Sequence, residues 1–282
     1  MDLKRILTSV IGLPLVVIIL IVGNVYIMDM VLLAIAVICM KEYLGVVEKV
    51  SHPLKWIAYI STIMVFIVAF LSKEMSMTIV AFSIPILLLI LFLKVIITDM
   101  ETTFKDVAYT FLGICYVTFC IMFLSLIRGL EYGKILLGFT IIIAWATDIF
   151  AYLIGKKFGK HNFSKISPKK SIEGCIAGIC GAMIFALMYT FVINIIIGND
   201  ILCLITGTQM PFIGATYLFV GFSAIIFSVI SQIGDFIASS IKRFSDTKDY
   251  GNLLPGHGGM LDRVDSLIFI APFVFMLFNI II

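Results

Sequence analysis

Runs of about 20 nearly uninterrupted apolar residues recur along this chain, and each is long enough to cross a hydrocarbon layer roughly 30 Å thick. That pattern excludes a water-soluble fold. Hydrophobic residues make up 62% of the chain and charged residues 13%, against roughly 45–50% and 25% in an ordinary soluble domain. The expected fold class is all-α, a polytopic integral membrane protein whose solvent is the bilayer.

Polar interruptions divide the apolar sequence into nine expected spans, at 6–22, 26–40, 56–70, 77–97, 107–126, 135–154, 172–197, 212–239 and 264–282. The second and third are short enough to be tilted or partly re-entrant. Lys4 and Arg5 ahead of the first run resemble a secretory leader, but no small-residue cleavage site follows and a second apolar run begins at once, so this run is read as the first span. With the N-terminus inside, the connectors facing inside carry all of the 20 Lys and Arg residues except Lys73, Arg128 and Lys134. The positive-inside rule therefore selects a cytoplasmic N-terminus and places loops 155–171 and 241–263 in the cytoplasm.

Partners are narrowed by charge and by cysteine spacing. A net charge of +3 without a basic tail gives no footprint for nucleic acid. Cys39, Cys115, Cys120, Cys175, Cys180 and Cys203 lie in or beside apolar runs, with no CxxC pair and no His cluster, and read as small helix residues rather than disulfides or metal ligands. No fixed-period repeat, low-complexity tract or hydrophilic domain is visible, so an active site has to be built from the spans and their cytoplasmic loops. The expected division is a scaffold of helices over 1–130, with possible dimer contacts, and a catalytic region over 131–282.

Polar residues inside apolar runs are costly and mark where function or helix contacts lie. Asp148 falls about two turns inside the sixth run, with Tyr152 one turn further on the same face. It faces a polar cavity, or else acts as glue between helices. Ser228, Gln232, Asp235, Ser239 and Lys242 recur at helical spacing and form one stripe descending toward a basic loop. A polar helix contact is the alternative reading, but it does not account for an acid in mid-stripe and Lys242-Arg243 at its end.

Beyond the stripe stand Lys248 and Asp249, then Pro255-Gly256-His257-Gly258-Gly259 and Asp262-Arg263-Val264-Asp265. Glycines let a backbone approach an anion and turn its N–H groups inward, and Asp262 and Asp265 share a helical face. Carboxylates beside Lys and Arg suit a metal-bound polyphosphate, and hard oxygen ligands suit Mg²⁺. In the loop before the seventh span, Ser167, Lys169, Lys170, Ser171 and Glu173 surround a helix start that can bind phosphate, or supply a positive-inside anchor. Taken singly, each of these features is weak: a glycine turn is usually a loop and a lone His a hydrogen-bonding residue. Their order along one chain is the specific signal.

That order closely resembles the signature of phosphatidate cytidylyltransferases, the CDP-diacylglycerol synthases. The pattern S-x-x-K-R, K-D, P-x-H-G-G-x-x-D-R-x-D is met by Ser239, Lys242-Arg243, Lys248-Asp249 and residues 255–265, with no departure at a motif position. Similar blocks occur at 148–155, 167–174 and 232–235, so the resemblance covers about 144–265; the N-terminal half agrees only in being hydrophobic.

The resemblance implies transfer of CMP from CTP to phosphatidic acid, giving CDP-diacylglycerol and pyrophosphate for phospholipid synthesis. It implies Asp235 and Asp262 as metal ligands, with Asp265 and Asp249 as helpers. Lys242, Arg243, Lys248 and Arg263 would neutralise phosphate charge, while Ser239, His257, Gly258 and Gly259 would contact CTP. Asp148, Tyr152, Ser167, Lys169, Lys170, Ser171 and Glu173 would line the lipid headgroup pocket. Mg²⁺, a second cation such as K⁺, a homodimer and a bacterial plasma membrane with the site facing the cytoplasm are expectations of the same kind. Two competitors differ in products: a CTP-dependent lipid kinase would release CDP, and a secondary transporter built on Asp148 and Asp235 would consume no CTP.

Overall fold

The computed structural model describes residues 12, 14, 16–20, 22–71, 76–164, 167, 170–198, 200–206, 213–253, 256 and 258–281. Most of the expected first span, and Lys165, Pro168, Lys169, Pro255 and His257, lie outside the described residues. Residues 16–20 are helical, and nine helices follow them among the described residues: α1 Val25–Val47, α2 Lys55–Leu71, α3 Ser76–Ile97, α4 Phe104–Gly129, α5 Gly133–Phe158, α6 Ile172–Ile197, α7 Ile201–Thr206, α8 Ile213–Phe244 and α9 Leu261–Ile281. No strand occurs among them, and one isolated bridge joins Asn162 and Ser171.

Six of these helices are long and apolar enough to cross a membrane: α1, α4, α5, α6, α8 and α9; α2 and the 81–97 part of α3 are shorter apolar helices. Their outward faces carry exposed side chains such as Trp56 at 81% and Ile196 at 73%. Lipid removes the penalty that water would place on those faces. The fold is that of an all-helical integral membrane protein.

The chain forms two compact units. The first comprises Met1–Gly129 with Ile241–Val264, so α1–α4 are grouped with the segment that follows the apolar part of α8. Asn24 caps α1 by accepting the Ile27 N–H at 2.8 Å. Thr103 and Asp106 form a reciprocal capping box at the start of α4, which satisfies amides that have no partner within the helix. The other oxygen of Asp106 takes the Ser51 hydroxyl at 2.5 Å and the His52 N–H at 2.6 Å, fixing the α1–α2 loop on α4. Further along α4 a π-helical segment spans Ile114–Phe119. Just before it, Gly113 leaves room for the Tyr43 ring: a Cβ there would lie 2.3 Å from the ring edge. The Tyr43 hydroxyl donates to the Tyr109 carbonyl at 3.0 Å, so α1 is seated on α4 by both shape and a hydrogen bond.

The second unit comprises Leu130–Ser240 with Asp265–Ile282. Here α5 and α6 approach backbone to side chain along small residues. A Cβ on Gly174 would stand 2.7 Å from the Ala151 carbonyl oxygen, and one on Gly178 2.9 Å from that of Thr147. Small residues at helical spacing drive association in lipid, where no hydrophobic force separates helix from solvent. Within α8, Ser228 pairs with Thr147 of α5 at 2.8 Å, and the Gln232 amide donates to the Cys175 carbonyl of α6 at 3.1 Å. The upper part of the α8 polar stripe therefore holds helices together.

Candidate active site

The site is built first from the end of α8. Asp246 adopts a left-handed conformation (φ 51°), and the Thr247 N–H donates back to the Lys242 carbonyl at 2.8 Å, so the helix closes over its own last turn. The Arg243 guanidinium donates to the Thr247 carbonyl at 3.1 Å. Lys242 thereby leaves from a fixed backbone. Its Nζ reaches Asp262 Oδ1 at 2.6 Å and lies 5.1 Å from the centre of the Tyr250 ring.

Asp262 sits in the first turn of α9, and its second oxygen is also taken. Oδ2 accepts the Tyr250 N–H at 2.8 Å and the Gly259 N–H at 3.0 Å. One ammonium and two amides thus face one carboxylate whose side chain is 4% exposed, beside a lysine side chain at 11%. A buried charge persists only where it is paired and hydrogen-bonded in this way.

Gly258 completes the arrangement. Its φ of 86° belongs to the left-handed region, and a Cβ there would fall 3.2 Å from Asp262 Oδ2 and 3.5 Å from Asp249 Oδ1. Two carboxylates therefore look onto a residue that has no side chain. Among the described residues no group of three or more His, Cys, Asp or Glu is clustered as a ligand set. Asp262 Oδ2 and Asp249 Oδ1 face the same glycine, a pair of hard carboxylate oxygens of the kind Mg²⁺ takes, although in this structure both Asp262 oxygens are held by Lys242 and two amides.

An acid missed at the sequence level stands behind the same turn. Glu42, near the end of α1 and 9% exposed, accepts the Met260 N–H at 2.9 Å through Oε1 and the Leu261 N–H at 2.8 Å through Oε2. Gly251 and Gly259 admit it, since a Cβ on either would come within 2.7 Å and 2.6 Å of a Glu42 oxygen. The N-terminal half, which resembles the family only in being hydrophobic, therefore supplies an acid to this turn. The only sequence signal was an acid two residues beyond the expected 26–40 span.

In the second unit Lys170 forms an ion pair with Asp235, its Nζ lying 4.3 Å from the centre of the Phe236 ring. The loop before α6 holds Lys170 there. The Phe163 N–H donates to the Lys170 carbonyl at 2.9 Å, the Ile172 N–H to His161 at 3.0 Å, and the Phe163 ring stacks on Phe236 with centres 4.7 Å apart. Ser171 caps α6 through the Gly174 N–H, and Glu173 pairs with His161 at 2.6 Å while taking the Lys160 N–H. These contacts turn the expected headgroup loop into a structure anchored on α8, with Asp235 and Lys170 drawn into one ion pair.

The remaining expected residues divide. Asp148 accepts the Ser266 hydroxyl at 2.9 Å, and Asp265 Oδ1 accepts the Ser266 N–H at 2.8 Å, so Ser266 touches both acids. Tyr152 is 64% exposed, with Lys156 5.7 Å from its ring centre. Arg243, Lys248 and Arg263 are exposed, Ser239 is half-buried, and Ser167 lies in a bend. Lys169 and His257 fall outside the described residues.

The model of the cytidylyltransferase family matches residues 3–281. The chain belongs to the cytidylyltransferase family. Within this family it is similar to the phosphatidate cytidylyltransferase of Bacillus subtilis, 34% identical over 191 residues, which cover 67% of this chain and 64% of that protein. The Thermotoga maritima phosphatidate cytidylyltransferase is 36% identical over 189 residues, 66% of this chain and 64% of that one. That of Staphylococcus haemolyticus is 34% identical over 180 residues, covering 63% and 61%. The matching stretch thus spans just under two thirds of the length of these relatives. Membership in the cytidylyltransferase family extends across the chain, including the helices whose sequence carries no motif.

Proposed function

We propose that this member of the cytidylyltransferase family transfers CMP from CTP to phosphatidic acid, releasing pyrophosphate and forming CDP-diacylglycerol. The observation that carries the reading is the largely buried Lys242–Asp262 pair beside Asp249 and Gly258, a charged cradle built from the motif residues themselves. In the reaction a phosphate oxygen of the lipid forms a bond to the α-phosphorus of CTP as the bond to the pyrophosphate oxygen breaks. A phosphate monoester with a second pKa near 6 is already largely dianionic at pH 7, so the attack needs no strong general base. Positioning and charge neutralisation then carry catalysis.

Lys242 is held where it can exchange its carboxylate partner for a phosphate oxygen, and exposed Lys248, Arg243 and Arg263 can reach a soluble triphosphate. When bound, Mg²⁺ would neutralise triphosphate charge. Asp262 with Asp249 would hold it in the unit that contains the glycine turn; Asp235 is proposed as a metal ligand on its place in the family motif alone, with Asp265 assisting. Lys170, with Ser171 and Glu173 shaping its loop, is proposed for the lipid phosphate, and Asp148 and Tyr152 for the pocket wall. A second cation such as K⁺, a homodimer, nine spans with a cytoplasmic N-terminus, a scaffold over 1–130 and a catalytic region over 131–282 complete the proposal. So does a bacterial plasma membrane location with the site facing the cytoplasm, supported by the bacterial relatives and the distribution of Lys and Arg.

The test is purified protein in detergent with labelled CTP and phosphatidic acid. Labelled CDP-diacylglycerol with equimolar pyrophosphate is expected. CDP with a newly phosphorylated lipid, or no CTP consumption by folded protein, would overturn the reading.

A further inference from the structure

We propose that Glu42 is a positioning residue for Asp262, so that the first apolar half of the chain sets the geometry of the phosphate cradle. Its functional consequence rests on the cytidylyltransferase reading above. Three successive N–H groups, those of Gly259, Met260 and Leu261, emerge where α9 begins. The first points at Asp262 and the next two at the separate oxygens of Glu42. Such a helix start ordinarily binds an outside anion. Here the anion is internal and comes from a residue more than 200 positions earlier in the chain.

The fit is shaped from both sides. Gly251 and Gly259 flank Tyr250 and Met260, and each is open toward Glu42, where a Cβ would overlap the carboxylate. Tyr250 in turn gives its N–H to Asp262 and lies beneath Lys242. Glu42 therefore touches both segments, 250–251 and 259–261, that hold the Asp262 carboxylate. Among the described residues no hydrogen bond or ion pair joins its carboxylate to Lys242 or Asp262. Its action runs through the backbone.

The decisive variant is Glu42→Gln, which keeps one acceptor oxygen and turns an NH₂ group toward the other amide. Amide exchange in detergent, read residue by residue, should show Met260 and Leu261 at least about tenfold faster, because a buried N–H has lost a charged acceptor. If Glu42 positions Asp262, the Tyr250 amide, whose acceptor is Asp262, speeds up as well. The KM for CTP should then rise about tenfold, while that for phosphatidic acid stays within about twofold of the parent.

A merely structural role would lower the amount of active protein without this split between the two KM values. Faster Met260 and Leu261 with an unchanged Tyr250 amide, or an unchanged KM for CTP, would overturn the proposal. If the unaltered protein consumes no CTP, the functional reading fails by itself and the Tyr250 amide alone decides on positioning. Should Glu42→Gln not fold, Glu42→Asp, which keeps both oxygens at shorter reach, is read by the same measurements.

Discussion

Removing the Asp262 carboxylate gives the most direct reading of the cradle, because each of its bonds ends on an observable group. Asp262→Ala deprives the Tyr250 and Gly259 amides of a charged acceptor, a loss of about 1.5–3 kcal/mol for each. At about 1.4 kcal/mol per factor of ten, their exchange should quicken roughly 10- to 100-fold. Asp262→Asn keeps an oxygen in the Oδ2 place, but it is neutral and about half as strong an acceptor, so a rise of about 3- to 10-fold is expected. Its NH₂ would face Lys242 Nζ, donor against donor, across what is a 2.6 Å contact in the parent.

Removing the unpaired ammonium as well, in Lys242→Met with Asp262→Asn, should recover part of the lost protection, because a buried charge without a partner costs more than an apolar side chain in its place. The assay is pulsed hydrogen exchange in micelles with fragmentation to single residues. In Asp262→Asn the Met260 and Leu261 amides should change less than Tyr250 and Gly259, because Glu42 holds them. Parent-like exchange at Tyr250 and Gly259 in Asp262→Ala would refute the arrangement of bonds from which these magnitudes are worked.

Asp235→Asn is expected to abolish pyrophosphate release while the protein stays monodisperse in detergent; near-parent release would remove Asp235 from the proposed metal ligands. Thr103→Ala should cost about 1 kcal/mol through loss of the α4 cap, seen as a lower unfolding midpoint. Gly178→Val would press a side chain toward the Thr147 carbonyl, 2.9 Å from where its Cβ must lie, and should destabilise by about 1–3 kcal/mol. Ser228→Ala should cost only about 0.6 kcal/mol in an unfolding titration, because interhelical hydrogen bonds in lipid are weak; a cost several times larger would give the Thr147 pair a role beyond packing.

The fold was legible where the physics is local. Length and hydropathy mark α4, α5, α6, α8 and α9 because each apolar face meets lipid or another helix, and the 172–197 boundaries coincide with α6 itself. Helical spacing was enough to align Ser228, Gln232 and Asp235 on one face, but it cannot tell a ligand from a helix contact. Ser228 and Gln232 proved to hold α5 and α6, while Asp235 met Lys170, a residue the sequence had assigned to a different substrate. Motif order marked Asp262 and Gly258 without showing that Tyr250 packs under Lys242 and gives its N–H to Asp262. Glu42 was out of reach, because its meaning depends on a contact across more than 200 residues and no local pattern distinguishes it from the exposed Lys41 beside it.

The length of α8 has a bearing on how the proposed substrates, a water-soluble nucleotide and a lipid, can meet. Its 32 residues make a rod about 48 Å long at roughly 1.5 Å per residue, against about 30 Å of hydrocarbon. The surplus, about 18 Å, is close to the reach of residues 235–244. One unbroken helix is thus long enough to pass from oil into the headgroup layer. Because the rod is continuous, its apolar part acts as a ruler and a key at once. Deleting a single residue there would lower the polar end by one step and turn it by about 100°, so this helix should tolerate substitution far better than any change in length.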